Sequence, residues 1–382
     1  MRILVVTNDF PPRVGGINDY VDRILRRFAP GEVTIFASSH AGAAAHDAGY
    51  PHEVIRQPTE MLLPTPAVAR RVHELIRSRQ PDVVLFGASM PLALMGPGIR
   101  QRHDVPYVGF TFGLEVAAAR VPGGRALLAR IGRHASALTA ISHWTRQVIR
   151  PYIGDHVRIE TLPSGIDAAT FRPDLDAAHL RHRHGLGDGP VICCVSRIVV
   201  RKGHDMVIRA LPRIAAEFPD VRFLIVGRGP SERRLHRLTR AHGVERHVVF
   251  AGAVSYEELP FYFRVGDVFA MPCRSRLMGL EVEGLGAVFL QASAVGRPVI
   301  VGDSGGAPEA VRHGETGLLV DPRDPNAIGD AILRMLRDPD AARRMGEAGA
   351  AWMHRDFTWE AIAGRVRVLL TDAARSSAAV GA

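Results

Sequence analysis

Short apolar runs alternate with longer segments of helical periodicity along the chain, and the alternation occurs twice over. Such a pattern is typical of parallel β-strands joined by α-helices. It predicts an α/β fold with two parallel sheets, one in each half of the chain. The runs are Ile3–Val6, Val33–Ala37, Val83–Phe86, Tyr107–Phe110 and Ala137–Ile141, then Val191–Val195, Phe223–Val226, Val248–Phe250, Val268–Met271 and Val299–Val301.

The length of 382 residues suffices for two domains. Periodicity stops near Leu162 and resumes near Val191, which predicts a first domain over residues 1–166 and a second over residues 188–356, joined by the segment between them. A last helix is predicted over residues 357–372. The small, polar tail 373–382 is expected to be frayed.

The formal net charge is +9, which favours an anionic partner such as a nucleotide-sugar phosphate, nucleic acid or membrane surface. The arginines are scattered through helical segments rather than collected in a tail, which argues against nucleic acid. The three cysteines have no metal-ligand spacing and are interpreted as buried residues of a reducing compartment. Without a leader-like segment or an apolar run long enough to span a bilayer, the chain is expected to be cytoplasmic.

Two glycine-rich turns follow predicted strands and precede predicted helices. Gly15 and Gly16 follow the first run, and Gly284 and Gly286, separated by Leu285, precede a helical segment of the second half. Backbone N–H groups at a helix N-terminus bind phosphate, and glycine lets the phosphate come close. Glu283 and Gln291, eight residues apart, are expected to share one face of the helix that opens here.

The stretch Glu283–Gln291 resembles the Glu-x7-Glu signature of glycosyltransferase family 4, with Gln291 in place of the second glutamate. The segment from Val195 to Asp205 is similar to the family's Ser-Arg-x4-Lys-Gly motif. The likeness covers nearly the whole chain and is closest to phosphatidylinositol-mannoside mannosyltransferases of the PimB type. It is carried by Thr7–Pro12, Pro91–Met95, Met271–Arg276, Val282–Gly286 and Ser304–Glu309.

This resemblance implies the GT-B fold, in which two Rossmann-like domains face each other across a cleft and the last helix returns to the first domain. It implies a retaining enzyme that uses a GDP-sugar and needs no metal or other cofactor. The segment Gly314–Val320 is similar to a structural hairpin of the family.

The family's site residues transfer onto several positions of this chain. The leaving diphosphate would be neutralised by Arg197 and Lys202, which is the physical requirement when a sugar–phosphate bond breaks. Glu283 would orient the sugar and Gln291 the ribose. The resemblance assigns the donor phosphates to Gly15, Gly16, Gly284, Leu285 and Gly286. It assigns the acceptor side to Asn18, Asp19 and Glu115.

The chain departs from its relatives after the run that ends near Phe110. The similar enzymes have Thr-His-Gly-His-Glu there, and the first histidine touches the donor sugar near C6. This chain has Phe112 and Leu114 in place of the two histidines. A lost hydrogen bond to a sugar hydroxyl costs roughly 1 kcal/mol. The difference therefore predicts that Phe112 and Leu114 line a site for a sugar altered or extended at C6.

The favoured interpretation is a glycosyltransferase that moves such a sugar to a small natural-product acceptor, for example an ergothioneine-type sulfur nucleophile in antibiotic biosynthesis. One alternative is a GDP-mannose-dependent transferase acting on phosphatidylinositol mannosides at the inner membrane face. The basic and amphipathic segment 68–79 could then touch lipid, although a helix packed on its own sheet is the favoured interpretation of this segment. A further alternative is a non-catalytic nucleotide-sugar-binding protein. The sequence leaves the acceptor, the base of the donor and the oligomeric state open.

Overall fold

The computed structural model describes residues 1–380, with side chains through residue 376. Its strands are β1 Ile3–Thr7, β2 Val33–Ser38, β3 Glu53–Gln57, β4 Val83–Phe86, β5 Tyr107–Gly109, β6 Ala137–Ala140, β7 Arg158–Thr161, β8 Val191–Val195, β9 Arg222–Val226, β10 Val248–Gly252, β11 Val268–Met271, β12 Val299–Gly302 and β13 Gly317–Val320.

The α-helices are α1 Gly16–Leu25, α2 Ala43–Ala48, α3 Pro66–Arg79, α4 Gly96–His103, α5 Leu114–Ala119, α6 Pro122–Gly132, α7 His143–Ile153, α8 Ala178–Arg183, α9 His204–Glu217, α10 Glu232–Ala241, α11 Leu259–Val265, α12 Ala287–Ala294, α13 Pro325–Arg337, α14 Pro339–Asp356 and α15 Trp359–Val380. Short 3₁₀ turns lie at Leu92–Met95, Val200–Lys202, Glu245–His247, Leu277–Gly279 and Ala307–Ala310.

The chain divides into two compact units, and each contains one parallel sheet. The first unit comprises Met1–Ser164 and the residues from Trp359 onward, and its seven strands have the order β3-β2-β1-β4-β5-β6-β7. The second comprises Gly165–Thr358, with the order β10-β9-β8-β11-β12-β13. The predicted pair of parallel-sheet, Rossmann-like domains is confirmed. The second unit begins earlier than residue 188, since Leu180 and Leu186 are fully buried within it.

In each sheet the strand order reverses at one place, between β1 and β4 and between β8 and β11. Ile3 pairs with Val33 on one side and with Val83 on the other, so β1 lies at the reversal. Loops that leave the carboxyl ends of strands at such a reversal form a crevice that commonly binds ligands. The loops after β1 and after β8 carry Gly15–Gly16 and Arg197–Lys202, respectively.

All ten predicted apolar runs are strands, whereas β3, β7 and β13 were not predicted as strands. These three lie at sheet edges. A strand at an edge is less enclosed, so β3 (Glu-Val-Ile-Arg-Gln) and β7 (Arg-Ile-Glu-Thr) keep polar side chains and lack a continuous apolar run. The hairpin expected over Gly314–Val320 is wrong, because β13 pairs in parallel with β12.

Helix α15 packs on the core of the first unit, as the predicted return of the last helix requires. Trp359, Ile362 and Val366 are at most 2% exposed and belong to the same apolar cluster as Tyr20 and Phe110. The helix is longer than the predicted 357–372 and continues through most of the tail that was expected to be frayed. The end of that tail, residues 381–382, lies outside the described residues.

Helix α3 packs its apolar side into the same unit. Val68, Val72, Leu75 and Ile76 are at most 6% exposed. These side chains are therefore core residues and do not form a lipid-facing stripe, which agrees with the interpretation of this segment as a helix packed on its own sheet. None of the helices in the described part of the chain is long and apolar enough to cross a membrane.

Candidate active site

Two cations meet one buried carboxylate in the second unit. Lys202 ends the 3₁₀ turn that follows β8, and its Nζ lies 2.8 Å from Oε2 of Glu283. The guanidinium of Arg201 donates to the same oxygen. The Lys202 and Glu283 side chains are only 10% and 13% exposed. Oε1 of Glu283 has no hydrogen-bond partner within the described residues, so it is available to accept from a ligand.

The cations decide the ionisation of Glu283. Burial raises the pKa of this carboxyl, but Lys202 and Arg201 outweigh burial, so the pKa lies below the ordinary glutamate value. Glu283 is thus anionic at neutral pH. An ionised acceptor forms stronger hydrogen bonds to hydroxyl groups than a neutral one, which is compatible with the predicted role of Glu283 in orienting a sugar.

The neighbouring segments hold this cluster in place. Asp205, at the start of α9, binds Arg274 with distances of 3.0 and 2.7 Å, and the backbone N–H of Arg274 donates to the carbonyl of Arg201 at 2.8 Å. The backbone N–H of Gly306 donates to the carbonyl of Glu283 at 2.9 Å. The glycine-rich turn after β12 therefore acts on the site by fixing the backbone of Glu283.

Gly203 must be glycine for two reasons. Its φ of 82° lies in the left-handed region, and a Cβ atom there would lie 2.1 Å from the carbonyl oxygen of Pro272. The turn that carries Lys202 can thus approach the segment after β11 only without a side chain at this position.

The N-terminus of α12 is open. The helix begins at Ala287, with Gly286 at the cap position in a left-handed conformation (φ 89°) and no side chain capping it. Its first N–H groups are available to an anion. Glu283 and Gly284 precede the helix, so the expectation that Glu283 and Gln291 share a helix face is wrong. Leu285 is 3% exposed and anchors the loop.

The side chains of Gln291 and Arg197 are available to a ligand. Gln291 lies within α12, and Arg197 is exposed in the loop after β8. Neither side chain has a hydrogen bond or ion pair with any residue in the described range 1–380. The two predicted leaving-group cations therefore differ, because Lys202 is buried and paired with Glu283 whereas Arg197 is free to reach a ligand.

In the first unit, Gly15 and Gly16 open α1 much as Gly286 opens α12. Both are exposed, and no side chain caps the helix. Asn18 is 4% exposed, and its Nδ2 has no partner among the described residues. Asp19 pairs with Arg23 at 3.0 Å. The loop thus offers backbone donors and one unused amide, and its assignment to donor phosphate and acceptor stays a prediction.

The side chains of Phe112, Leu114 and Glu115 lie in three different surroundings and do not form one pocket wall. The Phe112 ring is partly buried and packs edge-on against Tyr20, with centroids 5.1 Å apart, while Leu114 is 58% exposed. Glu115 is 1% exposed and accepts the backbone N–H groups of Met90 and Phe112 at 3.0 and 2.9 Å. Its carboxylate therefore fixes this turn, and burial raises its pKa.

Sequence reasoning missed Arg201. Its neighbour Lys202 drew attention because it matches a family motif, whereas Arg201 resembles any surface arginine until the fold places it on Glu283. The available signal was the pair Arg201-Lys202, two adjacent cations in a turn after a buried strand.

Among residues 1–380 there is no cluster of three or more histidine, cysteine or acidic residues that could hold a metal. The expected independence from metals stays a prediction.

Family models match both units. The model of glycosyltransferase family 4 matches residues 14–170, and that of glycosyl transferases group 1 matches residues 177–352. Solved structures agree at the level of the fold. HepE from Anabaena, in complex with UDP, has a TM-score of 0.82 at 20% identity over 97% of this chain and all of that one. Sucrose-phosphate synthase from Thermosynechococcus elongatus has a TM-score of 0.78 at 23% identity over 97% and 99%.

Sequence relatives extend over the full length. A GDP-mannose-dependent alpha-(1-6)-phosphatidylinositol monomannoside mannosyltransferase from Mycolicibacterium smegmatis is 44% identical over 97% of this chain and 98% of its own. A GDP-mannose-dependent monoacylated alpha-(1-6)-phosphatidylinositol monomannoside mannosyltransferase from Corynebacterium glutamicum is 41% identical over 97% of each chain. The two parallel-sheet domains, the motif residues around Glu283 and these full-length relatives together place the chain in glycosyltransferase family 4, as a glycosyltransferase of the GT-B fold.

Proposed function

We propose that this glycosyltransferase moves mannose from GDP-mannose to a phosphatidylinositol mannoside. The observation that carries the proposal is the 44% identity to an enzyme of that description over 97% of the chain. A relative with a different printed activity, the alpha-D-kanosaminyltransferase of Streptomyces kanamyceticus, is 33% identical over only 45% of the chain. The relatives therefore favour the lipid acceptor over the sulfur acceptor expected from the sequence.

The geometry of the second unit suits the donor half of this reaction. When the bond between mannose and the diphosphate breaks, negative charge grows on the departing GDP. Lys202 is a fixed, buried cation that can neutralise this charge, and Arg197 is free to reach it. The open N-terminus of α12 supplies backbone N–H donors. Oε1 of Glu283 accepts from a mannose hydroxyl, and Gln291 bonds the ribose.

The chain's own residues suggest where the acceptor proton goes. Phe112 stands where the family resemblance implies a histidine, and its ring cannot accept a proton. The acceptor hydroxyl therefore gives its proton to the departing phosphate oxygen as the new glycosidic bond forms on the same face of the sugar, so the configuration at the anomeric carbon is retained.

The direct test is transfer of radiolabelled mannose by the purified protein. With GDP-mannose and a phosphatidylinositol monomannoside in detergent, a labelled dimannoside is expected. Labelled UDP-glucose with the same lipid serves as the control and should give little product. If the protein binds GDP but transfers mannose to no phosphatidylinositol mannoside, the proposal is wrong.

Arg201→Ala should lower kcat/KM about tenfold, the value of one hydrogen bond to a charged group. It should also raise the pKa of Glu283, because one of two lowering cations is lost while burial remains. The acid limb of the pH profile of kcat/KM should consequently move to higher pH. Arg213→Ala removes an exposed arginine that pairs with Asp330 on the surface, and it should change neither quantity. An unmoved acid limb in Arg201→Ala would mean that Arg201 does not act on Glu283.

A second candidate function follows from Phe112. An apolar ring where the family resemblance implies a histidine favours a donor sugar altered or extended at C6, with a small acceptor such as a thiol or thione. Sulfur nucleophiles ionise near neutral pH and need no protein base at this position.

The double variant Phe112→His with Leu114→His distinguishes the two candidates. If the donor is altered at C6, the wild type should bind GDP-mannose poorly and the variant should bind it better by roughly 1–2 kcal/mol. Leu114→His alone is the control, because Leu114 is exposed whereas Phe112 packs on Tyr20. Competition titration against GDP measures the effect. Tight, productive use of GDP-mannose by the wild type would eliminate the second candidate.

A further inference from the structure

A basic groove lies on the first unit. Its lining residues fall between residues 64 and 130, well after the Gly15–Gly16 loop in the sequence. Helices α3, α4 and α6 and the 3₁₀ turn before α4 surround two adjoining cavities of about 650 and about 340 Å³, which share Ala69, His73 and Arg102. The charged and titratable side chains that line them are Arg70, His73, Arg77, Arg102, His103 and Arg130. No aspartate or glutamate lines either cavity.

The positive charge of this groove is not neutralised by the protein. Within residues 1–380, none of its four arginines forms an ion pair with a carboxylate. The acidic residues nearest in sequence are engaged elsewhere, since Glu74 pairs with Arg71 at 3.1 Å and Asp104 with Arg100 at 3.2 Å. A cation would be repelled by these arginines, so the groove suits an anion.

A directed hydrogen-bond chain crosses the groove. Arg102 Nη1 lies 3.2 Å from His73 Nε2, and His73 Nδ1 lies 2.9 Å from His103 Nε2. A guanidinium can only donate, so Nε2 of His73 must accept and carries no proton. The proton of His73 is then on Nδ1 and is donated to His103. The arrangement therefore requires both imidazoles to be neutral.

The surroundings keep the imidazoles neutral. Burial lowers the pKa of His73, and His103, Arg102 and Arg77 lower it further. Burial likewise lowers the pKa of His103, with Arg77 and Arg102 adding to the effect. An anion of sufficient charge among these groups would reverse the balance and favour imidazolium.

We propose that this groove is a second ligand site, which binds the dianion of a phosphate monoester and takes up protons as it does so. The phosphate accepts from the arginines and displaces Arg102 from His73, and the histidines, freed of the chain that kept them neutral, become protonated and donate to phosphate oxygens. Leu94, Met95 and Leu127 line one side of the groove and can contact the organic part of the ligand. The lining of this groove shares no residue with the Lys202–Glu283 cluster or with the Gly15–Gly16 loop.

Isothermal titration calorimetry near neutral pH tests the proposal, with glycerol 3-phosphate as the probe and GDP present throughout to occupy the donor site. The heats are compared in buffers of different ionisation enthalpy. Saturable binding with net proton uptake is expected. The variant Arg77→Ala with Arg102→Ala should weaken binding by about tenfold or more and abolish the uptake. Arg71→Ala, on the same helix but paired with Glu74, should leave both unchanged.

Vesicles distinguish the source of the phosphate. Binding to phosphatidylcholine vesicles that contain phosphatidic acid, but not to glycerol 3-phosphate, would assign the site to a lipid monoester, provided that the double variant loses that binding. Binding to the soluble probe alone would assign it to a free metabolite. Heats equal to those of sodium chloride at the same ionic strength, together with no vesicle binding, would overturn the proposal. So would equal affinities of wild type and double variant.

Discussion

Replacing Lys202 by alanine should lower kcat by on the order of 10²–10³, the usual effect of removing one preorganised group at a developing anion. Two features of the structure support an effect of this size. Lys202 is buried, and its Nζ is held 2.8 Å from Glu283. The substitution thus removes a fixed cation and leaves Glu283 with Arg201 alone, so burial would raise the pKa of that carboxyl closer to its ordinary value.

GDP affinity should fall together with turnover, because the same charge binds the product. Lys202 is the only lysine of the chain, so Lys202→Arg is an informative comparison: it keeps the charge and should retain more activity than alanine if charge is what matters. Steady-state kinetics with GDP-mannose, GDP titration and melting temperature should be measured for each variant. A turnover for Lys202→Ala within a few-fold of wild type would contradict the leaving-group role.

The sequence sufficed to predict the parts of the fold that depend on continuous burial. Val83–Phe86, Val191–Val195 and Val268–Met271 are enclosed by neighbouring strands and buried throughout, and their predicted bounds agree with the structure. Edge strands such as β3 carry weaker patterns because part of the strand remains accessible to water. The direction of β13 depends on its partner β12, which local sequence does not specify.

The candidate site, like the fold, could be predicted from the sequence only in part. Motif residues identified Lys202 and Glu283, but spacing alone suggested a shared helix face for Glu283 and Gln291, because the start of α12 was placed too early. The left-handed Gly286 delays that start until Ala287. Arg201 was missed because its role depends on a contact with a residue 82 positions away. Phe112 was expected to line a sugar pocket, and only tertiary packing reveals its contact with Tyr20.

Replacing Glu283 by glutamine should lower kcat/KM by on the order of 10², since a charged contact to the transferring sugar becomes neutral. The amide has nearly the same shape and its oxygen can still accept from Lys202 and Arg201, but these two cations lose their anion, so the free energy of unfolding should fall by about 1–3 kcal/mol. Glu281→Gln is the matched control. It alters an exposed carboxylate in the same loop, paired with Arg276 at 3.0 Å, and should leave kcat/KM unchanged.

The pH dependence of stability gives an independent measurement on the same variant. The pKa of Glu283 is lowered in the folded protein, so its ionisation stabilises the fold above the ordinary glutamate value of 4.5, and this contribution is lost as the pH falls through the folded pKa. Glu283→Gln should therefore show a smaller loss of melting temperature than wild type when the pH is lowered below that value. Unchanged kinetics combined with a large fall in melting temperature at neutral pH would instead make Glu283 a structural residue, held by its two cations for stability rather than for the sugar.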